Sequence, residues 1–334
     1  MHSPVIDVHT HVVPSGWPDL TAILGPDAPR LRVDGPRQAT IMLGDRVFRP
    51  ITDACWNAET RLADMAADGV DQQVLLPTPV FFAYQQHANA ATHVSAIFND
   101  LTLHIAEQAP DRFLPFCQVP LQDTEAACRE LDRCLTNGHL GVEIGNHVAD
   151  RDLDDAGVVT FLQHCADHDV PVFVHPWDMS SNARMDRWMG PWLVGRPAET
   201  HLSIAALVLS GAFDRLPDSL RICFAHGGGS FPYWVGRMDN AWYRRPDLVA
   251  TSSERPPSAY LPRFSVDSAV FTPEALEFLV RVMGSGNVML GSDYPYPLGE
   301  RPAGAAVRGA DLEADAVRSV LGGNALQFLG RTRT

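Results

Sequence analysis

Short apolar runs rich in β-branched residues alternate with longer segments of helical periodicity along the chain, and this alternation most restricts its fold. Strands and helices in alternation form parallel β-sheets. Eight repeats of the unit predict an α/β fold, a distorted (β/α)8 TIM barrel whose active site lies at the carboxyl ends of the strands. The runs predicted as strands are Val5–Val8, Gln73–Leu76, Phe113–Gln118, Gly141–Ile144, Val172–Val174, Arg221–Phe224, Phe264–Val266 and Val288–Leu290.

The segments between these runs carry apolar residues three and four positions apart and end at glycine or proline, which is typical of helices. They include AETRLADMAADG, TEAACRELDRCLTNG and PEALEFLVRVMG. An open doubly wound sheet is the alternative architecture. The first run is not followed by a GxGxxG motif, which disfavours the dinucleotide-binding form of that sheet.

Residues 14–48 interrupt the alternation, because they are rich in proline and glycine. Within them the stretch ATIMLGDRVFRP alternates between apolar and polar residues, which predicts a short hairpin turning at Gly44–Asp45. This small β insertion follows the first strand, so we expect it to lie over the barrel mouth. We expect residues 1–334 to form a single barrel with this insertion.

The chain contains no lysine, so all 26 of its basic residues are arginines. Schiff-base chemistry, as in pyridoxal-phosphate enzymes and lysine aldolases, is therefore excluded. The Walker phosphate-binding loop is excluded as well, since it requires a lysine. A pair of metals bridged by a carbamylated lysine is also impossible.

The formal net charge of −14 disfavours binding to nucleic acids or acidic membranes, because both require basic patches. A run of about 18 apolar residues, as a membrane span requires, is missing from the sequence. The segment MHSPVIDVHTHVVP does not have the pattern of a signal peptide. Six cysteines without a CxxC pair favour reduced thiols in a cytoplasmic protein.

Residues that commonly bind metals stand at the ends of four predicted strands. His9 and His11 are two positions apart on an extended segment, so their side chains point to the same side. His175 follows the fifth strand and Asp293 the eighth, and strand ends converge in a closed barrel. Three imidazoles and a carboxylate suit one Zn²⁺ ion with a position left for water. His226, after the sixth strand, is then available as a general acid or base.

Two arginines are candidates for binding an anionic substrate in this acidic protein. Arg49 ends the insertion in the sequence FRP, and Arg237 lies in the helical stretch YWVGRMDNAW. Guanidinium groups bind carboxylates through two parallel hydrogen bonds and stay charged at any relevant pH.

The chain resembles the decarboxylase branch of the amidohydrolase superfamily in the stretches IDVHTH, FVHPWDM, FAHGGGSF and LGSDYPYPLGE. Within that branch it is most similar to the bacterial 2-amino-3-carboxymuconate-6-semialdehyde decarboxylases, over nearly the whole chain. The linked stretches HPWDM, PWLV, PAET and GRMDNAW are more specific than the HxH and GSDYP motifs.

The resemblance implies a zinc-dependent, non-oxidative decarboxylase without an organic cofactor, acting on a small dicarboxylate. It implies that Arg49 and Arg237 bind the substrate carboxylates, with Arg237 entering the site of a neighbouring subunit in a homodimer. It also places Trp192 and Tyr296 in the lining of the substrate pocket. The implied metal ligands are His9, His11, His175 and Asp293, with His226 and Asp293 as the catalytic residues.

Other activities are compatible with the same metal ligands. A related decarboxylase could act on a phenolic acid such as a resorcylate. A hydrolase could open a lactone or an amide, and its turnover would release no CO₂. A metal-binding protein without enzymatic activity is the alternative from another class, and it would be favoured by the loss of any ligand position.

Overall fold

The computed structural model describes residues 3–179 and 183–331, and in this part of the chain eight strands form one parallel sheet. The sheet order is β1-β5-β6-β7-β10-β11-β12-β13, so the eight predicted strands are neighbours in chain order. The strands that the structure describes are β1 (Ile6–Val12), β2 (Pro29–Gly35), β3 (Gln38–Leu43), β4 (Arg46–Thr52), β5 (Gln72–Pro77), β6 (Phe113–Gln118), β7 (Gly141–Gly145), β8 (His147–Val148), β9 (Arg151–Asp152), β10 (Val172–His175), β11 (Ile222–Phe224), β12 (Ser265–Asp267) and β13 (Val288–Met289).

Backbone hydrogen bonds between β1 and the segment after β13 bring the two edges of the sheet together. Val8 N donates to Leu290 O at 2.9 Å, Asp293 N to His9 O at 3.0 Å, and His11 N to Tyr294 O at 2.7 Å. These contacts confirm the predicted (β/α)8 barrel. They also explain why β1 is longer than predicted, because pairing on both sides keeps the segment extended to Val12.

Helices follow the barrel strands and begin and end at the residues that favour those positions. Asn57, Asp123 and Thr272 each accept a hydrogen bond from a backbone amide of the first turn. The helices that the structure describes are α1 (Thr21–Leu24), α2 (Ala58–Asp68), α3 (Ala88–Ala106), α4 (Thr124–Asn137), α5 (Ala156–Asp167), α6 (Arg196–Leu209), α7 (Ala212–Arg215), α8 (Ala225–Gly228), α9 (Phe231–Arg244), α10 (Pro273–Met283), α11 (Ala305–Gly309), α12 (Ala314–Arg318) and α13 (Asn324–Phe328). None of these helices is long and apolar enough to cross a membrane.

The core has two main apolar layers. The larger layer lies between the sheet and the surrounding helices. The smaller one is a cluster that includes Ile6, Val8, Leu114, Phe116 and Phe173. The Phe173 ring lies 5.1 Å from the His9 ring, so this second layer packs against one of the predicted metal ligands. All six cysteines are free thiols, and five of them are buried.

The insertion after β1 is a three-stranded antiparallel sheet of β2, β3 and β4. The predicted hairpin is present, since β3 and β4 flank the turn at Gly44–Asp45. The additional strand β2 was not predicted. Its residues alternate between apolar and charged, but it lies in a stretch rich in proline and glycine, and most of its residues are exposed. Ile41 and Ile51 of this sheet pack in one apolar cluster with Tyr296.

Candidate active site

The four predicted metal ligands come together at the carboxyl ends of the barrel strands. His9, His11, His175 and Asp293 each offer one ligand atom, and these atoms all lie within 4.8 Å of one another. His11 Nε2 is 3.1 Å from His9 Nε2 and 3.2 Å from Asp293 Oδ1. All four residues are buried. We refer to them as the ligand group.

The ligand group fits a divalent cation. Both ring nitrogens of His175 and one carboxylate oxygen of Asp293 are buried without a hydrogen-bond partner among the described residues. The facing Nε2 atoms of His9 and His11 are two basic nitrogens held close together. Buried polar atoms without partners cost free energy, which coordination to a cation would remove. Three nitrogens and a carboxylate oxygen are a donor set that suits a transition-metal ion.

Asp267 orients the first ligand and was not predicted from the sequence. Its carboxylate accepts a hydrogen bond from His9 Nδ1 at 2.5 Å and another from Gly227 N at 2.8 Å. Burial alone would lower the pKa of His9, but the neighbouring Asp267 raises it. The contact fixes the tautomer so that His9 Nε2 faces the other ligands. A signal was present, because Asp267 directly follows a predicted strand, as the ligands do.

Further buried contacts hold β1 against the last barrel segment. The Asp7 carboxyl group accepts hydrogen bonds from Ser292 Oγ at 2.5 Å and Ser292 N at 3.1 Å, and burial raises its pKa to about 7. A Cβ atom at Gly291 would lie 2.8 Å from His9 Cβ and 2.7 Å from Asp267 Cβ. Only glycine therefore allows these two side chains to meet.

Arg61 supports the same strand from α2. It is fully buried and donates to His11 O at 2.8 Å, to Thr10 Oγ1 at 2.8 Å and to Gln73 Oε1 at 2.9 Å. A buried guanidinium whose protons are used in this way is a structural element of the barrel. Arg61 thereby fixes the position of the segment that carries two ligands.

His226 lies beside the ligand group, as predicted. It follows β11 in a left-handed backbone conformation with φ 55°, and its ring is 5.1 Å from that of His9 and 5.2 Å from that of His175. His226 Nε2 is 3.9 Å from Asp293 Oδ2. Burial lowers the pKa of His226 despite this carboxylate. A neutral imidazole in this position can accept a proton and return it.

A cavity of about 400 Å³ opens next to His226 and Asp293. Apolar and aromatic side chains form much of its wall, among them the predicted pocket residue Trp192. The lining also contains Arg196, which was not predicted from the sequence. The lining residues are Trp192, Leu193, Arg196, Pro197, His226, Gly229, Ala269, Val270, Phe271, Asp293 and Leu298.

Arg49 and Tyr296 lie together on the side of the insertion. The Arg49 guanidinium carbon is 4.2 Å from the centre of the Tyr296 ring, a cation–π contact. The Tyr296 ring is in turn 5.3 Å from the His11 ring, and its hydroxyl shares a hydrogen bond of 2.6 Å with Thr78. The Tyr296 ring therefore contacts both the Arg49 guanidinium and the ring of His11, a member of the ligand group.

Arg237 is the one predicted site residue that the described part of this chain does not bring to the ligand group. It is exposed on α9 and forms no hydrogen bond or ion pair with any of the four ligands. The same helix exposes two aromatic residues, Tyr233 at 69% and Trp234 at 47%.

Replacing Asp267 by asparagine is expected to weaken metal binding by roughly 10- to 100-fold, as is typical for partners of metal-bound histidines. The neutral amide accepts a weaker hydrogen bond from His9 Nδ1 and therefore leaves His9 Nε2 a less basic ligand. Competition with a chelator of known affinity measures the change. Asp45→Asn, at a fully exposed carboxylate, is the control and should bind like the wild type. Equal affinities for all three proteins would contradict the assigned role of Asp267.

Comparison with known proteins agrees with this geometry. The sequence model of a family described as amidohydrolase matches residues 6–331. The 2-amino-3-carboxymuconate-6-semialdehyde decarboxylase of Dictyostelium discoideum is 39% identical over 97% of this chain and 91% of its own length. The enzyme of the same name from Caenorhabditis elegans is 33% identical, over 90% of this chain and 88% of its own.

A solved structure shares the fold. The 5-carboxyvanillate decarboxylase of Novosphingobium aromaticivorans, with bound manganese and 3-methoxy-4-hydroxy-5-nitrobenzoic acid, has a TM-score of 0.74 and 27% identity. The match covers 83% of this chain and 82% of that structure. Two relatives are more than 30% identical over most of their length, and the buried group of metal ligands lies in the expected place. The chain therefore belongs to the amidohydrolase family, as a metal-dependent carboxy-lyase.

Proposed function

We propose that this protein removes CO₂ from 2-amino-3-carboxymuconate 6-semialdehyde, or from a close carboxylated muconate semialdehyde, without oxidation. The expected product from the former is 2-aminomuconate 6-semialdehyde. The observation that carries the proposal is the position of Arg49, whose guanidinium contacts the Tyr296 ring beside His11. The relatives from Dictyostelium and Caenorhabditis support the choice of substrate.

We further propose that the ligand group binds one Zn²⁺ ion per chain. Imidazole and carboxylate donors suit zinc, and the manganese in the solved 5-carboxyvanillate decarboxylase makes manganese the alternative. When bound, such an ion acts as a Lewis acid that polarises oxygen atoms and makes a water molecule more acidic. Elemental analysis of protein purified without added metal, followed by reconstitution with each ion, distinguishes the two metals.

The residues of the chain have separate tasks in this reaction. Arg49 holds a carboxylate of the substrate through two parallel hydrogen bonds. Trp192, Phe271 and Leu298 line the cavity with apolar surface that excludes water. The bond between the carbon and its carboxylate breaks, and the electron pair enters the conjugated semialdehyde. His226 moves the proton that the same carbon receives, so the reaction needs no oxidant and no organic cofactor.

A direct assay tests the substrate. Metal-loaded protein is incubated with freshly generated aminocarboxymuconate semialdehyde, and both its absorbance and the released CO₂ are followed. A phenolic acid decarboxylase would instead release CO₂ from 5-carboxyvanillate or a resorcylate, which are run in parallel. Loss of a lactone or amide substrate without CO₂ would identify a hydrolase.

We also propose that the active protein is a cytoplasmic homodimer in which Arg237 enters the site of the partner subunit. The exposed aromatic residues Tyr233 and Trp234 on the same helix support an interface there, since exposed apolar patches commonly mark association sites. The exposed guanidinium of Arg237 would then meet the second carboxylate of the substrate. The small sheet of the insertion would form one wall of the mouth and carry Arg49.

Mixing two impaired variants tests the shared site. Arg49→Ala and Arg237→Ala should each lower kcat/KM by roughly 10- to 150-fold, since a hydrogen bond to a charged group contributes about 1.5–3 kcal/mol. In the mixed dimer, one of the two sites regains both arginines, because each comes from the chain that retains it. Co-expression with two affinity tags isolates this dimer for the CO₂ assay. A mixed dimer that is folded and metal-loaded but no more active than its parents would reject the shared site.

A further inference from the structure

Arg196 is buried but forms none of the contacts that normally accompany a buried arginine. Only 8% of it is exposed, and its Nε atom has no hydrogen-bond partner among the described residues. The Arg196 guanidinium also forms no ion pair with any residue that the structure describes. Arg61 is the contrast within this chain: it is fully buried and its Nε atom also lacks a partner, but its two terminal nitrogens donate to four oxygen atoms. Arg196 is therefore not accounted for by the stability of the barrel.

The position of Arg196 points to a ligand. It is the first residue of α6 and lines the same cavity as His226 and Asp293. Its guanidinium carbon lies 6.0 Å from the ring centre of Trp192, which also lines this cavity. A buried cation without a partner is costly unless an anion joins it. An anionic group entering the cavity would supply that partner.

The charge of Arg49 acts on the same region. Burial lowers the pKa of Arg196, and the positive charge of Arg49 lowers it further, whereas Asp293 opposes the shift. Arg196 lines the cavity, and Arg49 lies close enough for its charge to act on Arg196. Guanidinium forks match the geometry of carboxylates, so two of them suit a ligand with two carboxylates.

We propose that Arg196 binds a carboxylate of the substrate and makes the site selective for dicarboxylic over monocarboxylic acids. This role rests on the proposed function in one respect only, namely that the substrate is a carboxylic acid. Arg196 thus gives the second carboxylate a contact within the same chain, beside the one proposed for Arg237 of the partner subunit, while Arg49 binds the first. Arg196 is then a residue that determines specificity and touches the substrate.

Binding of unreactive acids tests this role separately from turnover. The probes are benzene-1,3-dicarboxylate and benzoate, titrated calorimetrically into metal-loaded protein. Arg196→Gln is expected to weaken binding of the dicarboxylate at least roughly tenfold, as the loss of a charge-assisted hydrogen bond implies. Benzoate, which Arg49 can hold alone, should lose far less. The exposed Arg187, stacked on Trp188, provides the control variant Arg187→Gln, which should match the wild type.

The outcomes separate the possible explanations. An equal loss for both probes, or no loss for either, would overturn the proposal. If Arg196→Gln does not fold, Arg196→Lys keeps the charge without the planar fork and should retain only part of the preference for the dicarboxylate. If the semialdehyde is not converted but the preference still depends on Arg196, the proposed function fails and the role of Arg196 stands. If the semialdehyde is converted and Arg196→Gln leaves both KM and the probe preference unchanged, only the role of Arg196 fails.

Discussion

Substituting asparagine for His226 is expected to lower kcat by about 10²- to 10⁴-fold, the usual contribution of a general acid or base. The asparagine side chain still offers polar atoms next to Asp293, but it cannot exchange a proton near neutral pH. Because His226 is not one of the four ligands, the variant should contain as much metal as the wild type. Steady-state rates of CO₂ release together with elemental analysis measure both quantities.

A control variant and two alternative outcomes make this test specific for His226. His201→Asn removes another partly buried imidazole, one that contacts Ser230 outside the ligand group, and should leave kcat near the wild-type value. A His226→Asn protein that turns over at the wild-type rate would show that His226 is structural. A protein that has lost both metal and activity would place His226 among the ligands.

Removing any one of three ligands is expected to abolish both metal retention and turnover. His9→Ala, His175→Ala and Asp293→Ala each leave three donors, and a site that loses a donor also loses its geometry. After dialysis, the metal content should fall from about one ion per chain to a small fraction of that value. Full metal content in all three variants would rule out the ligand group as the metal site.

A second cluster of histidines provides the control for these measurements. Asp132, His164 and His168 also bring their ligand atoms within 4.8 Å of one another, but on the outer surface between α4 and α5. His164→Gln should leave activity unchanged, because this cluster is remote from the cavity. Any ion that the surface cluster takes up is thereby separated from the ion that supports catalysis.

The barrel and its ligands could be predicted because both depend on patterns that are local in the sequence. Apolar runs of three to six residues mark the strands. Parallel closure of the sheet then brings their carboxyl ends together, independently of the loop sequences. His9 and His11 were placed correctly relative to each other because an extended strand repeats every two residues. The same rules extend to His175 and Asp293, each of which follows an apolar run.

Other features depend on contacts that leave no pattern in the sequence. Asp267 follows a strand just as the ligands do, but only the structure shows its carboxylate turned towards His9 Nδ1. Arg196 is a buried charged residue, and a pattern of apolar residues cannot predict its position. The role of Arg237 depends on a second chain and thus on a surface rather than on a fold.

Because one of the four ligands lies at the closing edge of the barrel, the metal site can be completed only late in folding. Asp293 N donates to His9 O, so the residues that seal the sheet also belong to the ligand group. A ribosome delivers His9 and His11 first, but Asp293 emerges only after every barrel strand has been made. Ion capture with the full set of donors is therefore among the last steps of folding, since the contacts that create it join distant parts of the sequence. A nascent polypeptide that stalls before Asp293 would carry the three histidines of the ligand group. It would lack the carboxylate ligand and the backbone hydrogen bonds that Asp293 and Tyr294 form with β1.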